Sequence, residues 1–331
     1  MTTKVKWGIL STAKIGVQKV IPAMQNGQFI QVEAIASRDA EKAKEVAKKL
    51  NIPKSYGSYE ELLNDPNIDA IYNPLPNHLH VPWTIKALEA GKHVLCEKPI
   101  GMNAKEAEIL VEVTKMFPHL KVMEAFMYRF HPQWLKAREL VLNGAIGEIK
   151  TVHTFISYYN VAPENIRNQA ELGGGALMDI GCYCISFPRF VFNEEPEKLI
   201  SDMDFDPVMK TDRLTSAILK FPSGKTSTFS CSTQLMPFQR TNIFGDKGQI
   251  QVEIPVNAPP NKIVRVTLQT KENTEVFTFE PVDQYTLQGD AFSQSILEHK
   301  AVPTPLVDAI ANMKVIDAVV ESAEKEKWIK L

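Results

Sequence analysis

Glu97-Lys98-Pro99 carries the strongest chemical signal in this sequence, because it sets an ammonium directly after the strand-like run Lys92-Cys96. In an open parallel sheet ligands collect at the carboxyl ends of the strands, so Lys98, with Glu97 beside it, is expected to face a cofactor crevice. Hydride chemistry needs a cation there. A second signal follows the first strand, where Ser11-Thr12-Ala13-Lys14-Ile15-Gly16 keeps only the last glycine of a G-x-G-x-x-G turn. The small Ser11 and Ala13 still let backbone amides approach a pyrophosphate at a helix N-terminus, although an ordinary βα turn would read the same way. A third signal ends the second strand. A dinucleotide domain that reads NAD usually puts Asp or Glu there, whereas this chain has Ser37-Arg38, and a hydroxyl with a guanidinium suits a 2′-phosphate. NADP is therefore the expected cofactor, with NAD as the alternative. The loop Asn73-Pro74-Leu75-Pro76-Asn77-His78 follows the fourth strand at the same sheet edge, where Asn73, Pro74, Leu75, Asn77 and His78 are expected to line the nicotinamide-ribose side.

The elements that must position these residues alternate short apolar runs with helical patterns up to about residue 125, the pattern of βαβ units and a parallel sheet. Strands are expected at Val5-Leu10, Gln31-Ala36, Ser55-Tyr56, Ile68-Asn73, Lys92-Cys96 and Lys121-Ala125. The helix Asp39-Leu50 opens on an Asp cap, and Val81-Ala90 closes at Gly91. Beyond Phe130-His131-Pro132 the runs turn rich in Thr, Ser, Val, Ile and Phe, with turn signals at Pro222-Ser223-Gly224 and Asp246-Lys247-Gly248, so the second sheet is expected to be mainly antiparallel. Gly173-Gly174-Gly175 opens a helix running to about Phe192. The division expected is a doubly wound Rossmann domain over 1–125 and an α+β domain with an open sheet over 126–331, an α/β protein overall. A second copy of the open sheet could cover its outer face and make a homodimer or higher homo-oligomer; a solvated face is the other option.

The bulk composition narrows the partners. The chain has 331 residues, 44% hydrophobic and 23% charged, with a net charge of -2, which supplies no cationic field for nucleic acid or an anionic membrane. Small neutral or weakly charged molecules are the natural ligands. No signal segment or membrane-spanning run is read, and Cys96, Cys182, Cys184 and Cys231 lack metal or disulfide spacing, so a reducing cytoplasm and no metal are expected.

The chain resembles the glucose-fructose oxidoreductase, inositol dehydrogenase and MocA family over essentially its whole length. The likeness rests on Val5 to Leu10, Asn73 to His80, Glu97-Lys98-Pro99, the stretch Glu124 to Pro132, and Gly173-Gly174-Gly175-Ala176-Leu177-Met178-Asp179-Ile180-Gly181. It implies NAD(P)-linked oxidation or reduction of sugars, cyclitols or related alcohols, an active-site role for Lys98 and a cis Lys98-Pro99 peptide. Many polyol-oxidising relatives carry histidine where this chain has Tyr183. The tyrosine makes it more similar to NADP-dependent aldose dehydrogenases of the xylose type and to dimeric dihydrodiol dehydrogenase.

On that resemblance Tyr183 is the expected proton-transfer residue. Asp179 and Tyr183 stand four residues apart on one helix face. A phenol with a pKa of about 10 is a weak base near neutrality, and an ammonium such as Lys98 would favour its phenolate. Asp179 would orient a sugar hydroxyl or compete as the base. Arg167 is expected to face the substrate, with Phe126 and Tyr159 walling the pocket. The leading function is thus an NADP-dependent sugar dehydrogenase or reductase. The alternatives are a trans-dihydrodiol dehydrogenase or dicarbonyl reductase, and an NAD(P)-sensing regulator without turnover.

Overall fold

The computed structural model describes residues 3–331. Six parallel strands form the first sheet: β1 (Val5–Leu10), β2 (Ile30–Ala36), β3 (Lys54–Tyr56), β4 (Ala70–Asn73), β5 (His93–Cys96) and β6 (Val122–Glu124). Their order is β3-β2-β1-β4-β5-β6, with the first crossover on one side of β1 and the later ones on the other. That reversal beside β1 creates the switch point at which a doubly wound sheet binds its ligand. Helices cover both faces, which is why Trp7, Ile9, Leu10, Ile35, Ile71, Tyr72, Val94 and Leu95 are all buried in near-continuous apolar runs. The expected caps form, since Asp39 accepts from Lys42 N and Gly91 takes a φ of 75°.

The first compact unit runs to Met127 and then takes back Gln284–Ile310. Gln284–Ile310 thus groups with the first unit, whereas the division expected from sequence sets one domain over 126–331. The helix Gln284–Leu297 belongs with the parallel sheet because Asp290 accepts from Gln28 N at 2.9 Å and Phe29 N at 2.8 Å. Ser293 accepts from the Trp7 indole at 3.1 Å, and Phe292 packs against the Trp7 ring.

The second unit comprises Tyr128–Asp283 and Ala311–Leu331. Its sheet has nine strands: β7 (Ile149–Tyr159), β8 (Lys198–Phe205), β9 (Asp212–Lys220), β10 (Thr226–Ser232), β11 (Gln234–Gly245), β12 (Gly248–Val252), β13 (Val264–Thr270), β14 (Thr274–Phe279) and β15 (Ile329–Lys330). All neighbours are antiparallel except β7 and β10. β8 was not evident in the sequence, where its exposed Asp202 and Asp204 mask the strand signal.

The segment Ala170–Phe192 lies across the inner face of this sheet. It is 23 residues long and apolar enough to match a membrane span, longer than the sequence reading allowed, yet 89% of its apolar window is buried inside the protein. Its close approach needs Gly181, where a Cβ would sit 3.0 Å from Cys231 Sγ of β10. All four cysteines are buried free thiols.

Candidate active site

The nucleotide turn has a left-handed residue at its first position. Ser11 takes a φ of 72° and its hydroxyl accepts from Ala13 N at 3.2 Å, so a serine does there what glycine usually does. Thr12, Ala13 and Ile15 are half-buried and Lys14 is exposed. Gly16 opens a π-helical turn, Gly16–Val20, and faces Tyr72 and Pro74, with room for a Cβ at 3.8 Å from each. The turn thus offers backbone amides with little side-chain cover, which fits a pyrophosphate.

At the end of β2, Ser37 is buried and its hydroxyl accepts from Asp39 N, while Arg38 is exposed. Burial raises the Tyr59 phenol, and the Arg38 charge beside it opposes that rise. Arg38 therefore stands as an exposed cation against a buried phenol, a setting that fits a phosphate on the adenosine ribose.

The loop after β4 is held from within. Asn73 is fully buried; its amide donates to His80 O at 3.1 Å and Thr84 Oγ1 at 3.3 Å, and its side-chain oxygen accepts from Leu75 N. Its side chain is thus spent on the loop rather than offered outward. Pro74 and Leu75 are buried, while Asn77 and His78 are half-buried in the turn Asn77–Leu79. His78 Nδ1 is buried with no hydrogen-bond partner among the described residues.

His80, named in the sequence only as part of the loop motif, has a structural part. Its Nδ1 lies 2.7 Å from Pro99 O and its Nε2 2.6 Å from Leu75 O, so the ring ties the Lys98-Pro99 turn to the Pro74-Leu75 turn. Burial holds its pKa down to about 4, with the Lys98 charge acting the same way. A neutral ring donates through only one of these nitrogens.

Lys98 is half-buried just beyond β5, and the Lys98-Pro99 peptide is cis. Glu97 is fixed on both sides: its N–H donates to Asn73 O at 3.0 Å and its Oε1 accepts from the Tyr72 hydroxyl at 2.7 Å. Burial, and then the Glu97 charge, push the Tyr72 phenol well above its ordinary range, so Tyr72 stays a donor. Tyr72 thereby joins the nucleotide turn to the Glu97-Lys98 turn. Phe126, expected to wall the pocket, is fully buried in this unit.

In the second unit the glycine run shapes a separate cluster. Gly173 closes the turn Ala170–Leu172 with a φ of 82°, and a Cβ on Gly174 would lie 2.6 Å from Arg167 O. Gly175 N donates to that same carbonyl at 2.8 Å. At Gly175 φ is 116° and a Cβ would collide with the Asp212 carboxylate. Asp212 Oδ2 accepts from Leu177 N at 2.8 Å and Thr215 Oγ1 at 2.6 Å, fixing the start of the helix that bears Asp179 and Tyr183. Burial pushes the Asp212 pKa up while these donors pull it down.

Asp179 lies in a π-helical turn, Leu177–Gly181, that leads into the α-helix Cys182–Phe192. Such turns recur at functional sites because they shift the register of a helix face. Asp179 Oδ2 accepts from Arg167 Nε at 2.8 Å and from the Tyr158 hydroxyl at 2.7 Å. The carboxylate holds the Arg167 charge, and burial pushes the Tyr158 phenol well above its usual range. Tyr183 is 3% exposed, its ring 6.1 Å from Tyr128 and 6.3 Å from Phe187. Tyr128 is in turn fixed by Ser186 at 2.7 Å.

The structure therefore brings Arg167 and Asp179 together and adds Tyr158 to them. Tyr159, expected to wall the pocket, is 64% exposed and pairs with Gln234 at the strand end. Along β7 Val152, Thr154 and Ile156 are buried in alternation, with Ser157 buried as well, and the two-residue period continues to Tyr158. Asp212 had no such signal. Among the described residues no group of three or more His, Cys, Asp or Glu side chains could hold a metal.

Comparison with known proteins adds the family. Residues 5–120 match the oxidoreductase family with an NAD-binding Rossmann fold, and residues 134–251 match the GFO/IDH/MocA C-terminal domain. A D-xylose 1-dehydrogenase (NADP(+)) of Haloferax volcanii is 35% identical over 98% of this chain and 99% of its own. A trans-1,2-dihydrobenzene-1,2-diol dehydrogenase of Xenopus laevis is 35% identical over 96% of each chain. The crystal structure of the 3-ketoreductase KijD10 from Actinomadura kijaniata, in complex with NADP and TDP-benzene, superposes with a TM-score of 0.91 at 28% identity, covering 97% of this chain and 98% of its own.

Proposed function

The chain belongs to the GFO/IDH/MocA oxidoreductase family and carries its NAD(P)-binding Rossmann domain, and from that premise we propose that it is an NADP-dependent dehydrogenase of aldoses or closely related alcohols. Bound NADP supplies the hydride acceptor. The preference for NADP is supported by Ser37 and Arg38 in place of an acidic residue, and by the NADP named for the xylose dehydrogenase and the ketoreductase.

The observation that carries the reading is the commitment of Asp179. A carboxylate that accepts from a guanidinium and a phenol is an anchor for substrate hydroxyls, and the proton falls to Tyr183. In oxidation Tyr183 takes the proton of the reacting hydroxyl; in reduction it returns one. Lys98 is the ammonium of the cofactor side, at the carboxyl end of β5. Glu97, held by Tyr72, and the Pro74–His78 loop that Asn73 braces serve the nicotinamide ribose, while Ser11 to Ile15 serve the pyrophosphate.

A spectrophotometric panel tests the reading: NADP with D-xylose should give a rise at the reduced-nicotinamide absorbance, and silence toward all aldoses, polyols and dicarbonyls would end it. Oxidation of trans-dihydrodiols is the second reading, favoured by the equal identity to the diol dehydrogenase. The same proposal includes a reducing cytoplasm, which suits four buried thiols, and a homodimer through the outer face of the second sheet. Thr228 and Ser230 lie on that face opposite Ile218 and Ser216, while Phe229 and Cys231 point inward and are buried. Phe155 and Phe238 make a ring pair on it, with Ile218 43% and Phe238 48% exposed.

A further inference from the structure

We propose that Arg167 determines the substrate class, and that the class is neutral and polyhydroxylated: its two terminal amino groups donate to two substrate oxygens besides the reacting one. The inference rests on the dehydrogenase reading above and deepens it.

Three observations support the assignment. Arg167 is anchored at every point except its tip. Its N–H donates to Asn165 Oδ1 at 3.1 Å, its carbonyl accepts from Gly175 N at 2.8 Å, and its Nε donates to Asp179 Oδ2 at 2.8 Å. A planar guanidinium held through Nε has its two terminal amino groups aimed by the same contact. No described residue accepts a hydrogen bond from Nη1 or Nη2, although the side chain is only 39% exposed.

Position and charge complete the argument. Arg167 shares Asp179 with Tyr158, and Asp179 stands four residues before Tyr183 on the same helical segment, so the guanidinium lies in the neighbourhood of the proton-transfer residue, whose phenol adds to the field holding its charge. The Arg167 and Asp179 charges cancel, which leaves donors and acceptors without a net field for an anion. A carboxylate or phosphate on the substrate would also meet the Asp179 carboxylate. Uncharged hydroxyls can both accept from Arg167 and donate to Asp179. A substrate with only a pair of hydroxyls leaves the guanidinium donors desolvated and unmatched, and sites built to bind a hydroxyl reject analogues that lack it.

The test uses the full chain with NADP and three probes: D-xylose, D-glucuronate and trans-1,2-cyclohexanediol. Both kcat/KM and the calorimetric affinity of the NADP-loaded protein are measured. D-xylose should exceed the cyclohexanediol by about 100-fold in kcat/KM, and Arg167→Ala should erase that ratio. Arg167→Lys should not restore it, because an ammonium lacks the fork; it carries the test alone if the alanine variant does not fold. Equal losses on D-xylose and the diol would overturn the proposal by showing that Arg167 acts only through Asp179. So would an Arg167-dependent preference for D-glucuronate, or full recovery with lysine. If none of the probes is turned over, the dehydrogenase reading fails; D-xylose binding that Arg167→Ala abolishes would still uphold this inference, and no D-xylose binding would end it too.

Discussion

Substituting Gly175 by alanine should cost far more than its backbone angle alone explains. The φ of 116° lies where side-chain-bearing residues are strained by roughly 1–3 kcal/mol. A Cβ there also meets the Asp212 carboxylate, which must leave Leu177 N and Thr215 Oγ1. Hydrogen bonds to a charged group contribute about 1.5–3 kcal/mol each, so the two losses add roughly 3–6 kcal/mol. Gly224 is the control, since its φ is 84° and nothing lies within 4 Å of its Cβ position. Gly224→Ala should lose about 1–2 kcal/mol from the backbone only. At about 2–4 °C per kcal/mol, the melting temperature of Gly175→Ala should fall at least about 6 °C below that of Gly224→Ala. Calorimetry of both variants measures the gap. Equal melting temperatures would refute the argument that the glycine run exists to admit Asp212.

Arg38→Ala should raise the KM for NADP much more than for NAD, because only NADP has a phosphate for the guanidinium; equal changes would remove Arg38 from the site. His131 and His93 are held down to about 4, both by burial and His93 also by Lys121. Their folded pKa values lie below the unfolded value of about 6.5, so the stability they contribute is complete above that pH and is lost as pH falls toward 4, at up to about 1.4 kcal/mol per pH unit each. His131→Asn keeps an acceptor for Gln133 N and removes the titration, so its urea midpoint should fall less steeply over that window than that of the wild type. Light scattering should give at least twice the 37.2 kDa chain mass, and Thr228→Asp or Ser230→Asp should shift it toward monomer; a monomeric wild type at micromolar concentration would remove the sheet-face dimer.

The parallel sheet was legible because its strands are buried on both sides and so read as apolar runs, and Lys98 could be placed once β5 was recognised. The first position of the nucleotide turn was legible as small, but its left-handed backbone was not, since serine rarely takes it. Tyr158 is within reach of the two-residue period of β7, which leaves Tyr159 on the exposed side. Three features had no local signal. Asp212 meets Leu177 across 35 positions, Tyr72 meets Glu97 across 25, and the return of residues 284–310 depends on Asp290 finding Phe29 N 261 positions away. Side-chain contacts of this range follow from topology, and the sequence pattern reports only the elements.

The most direct test of the account is the pH dependence of kcat/KM for NADP-linked oxidation of D-xylose, measured for the wild type, Tyr183→Phe and Asp179→Asn. With Tyr183 as the proton acceptor, the wild type should rise through one ionisation and level off. Tyr183→Phe should lose orders of magnitude and that ionisation with it, while Asp179→Asn should weaken turnover and keep the rising limb. A Tyr183→Phe enzyme that remains active with the wild-type profile, beside an inactive Asp179→Asn, would contradict the account and make Asp179 the base.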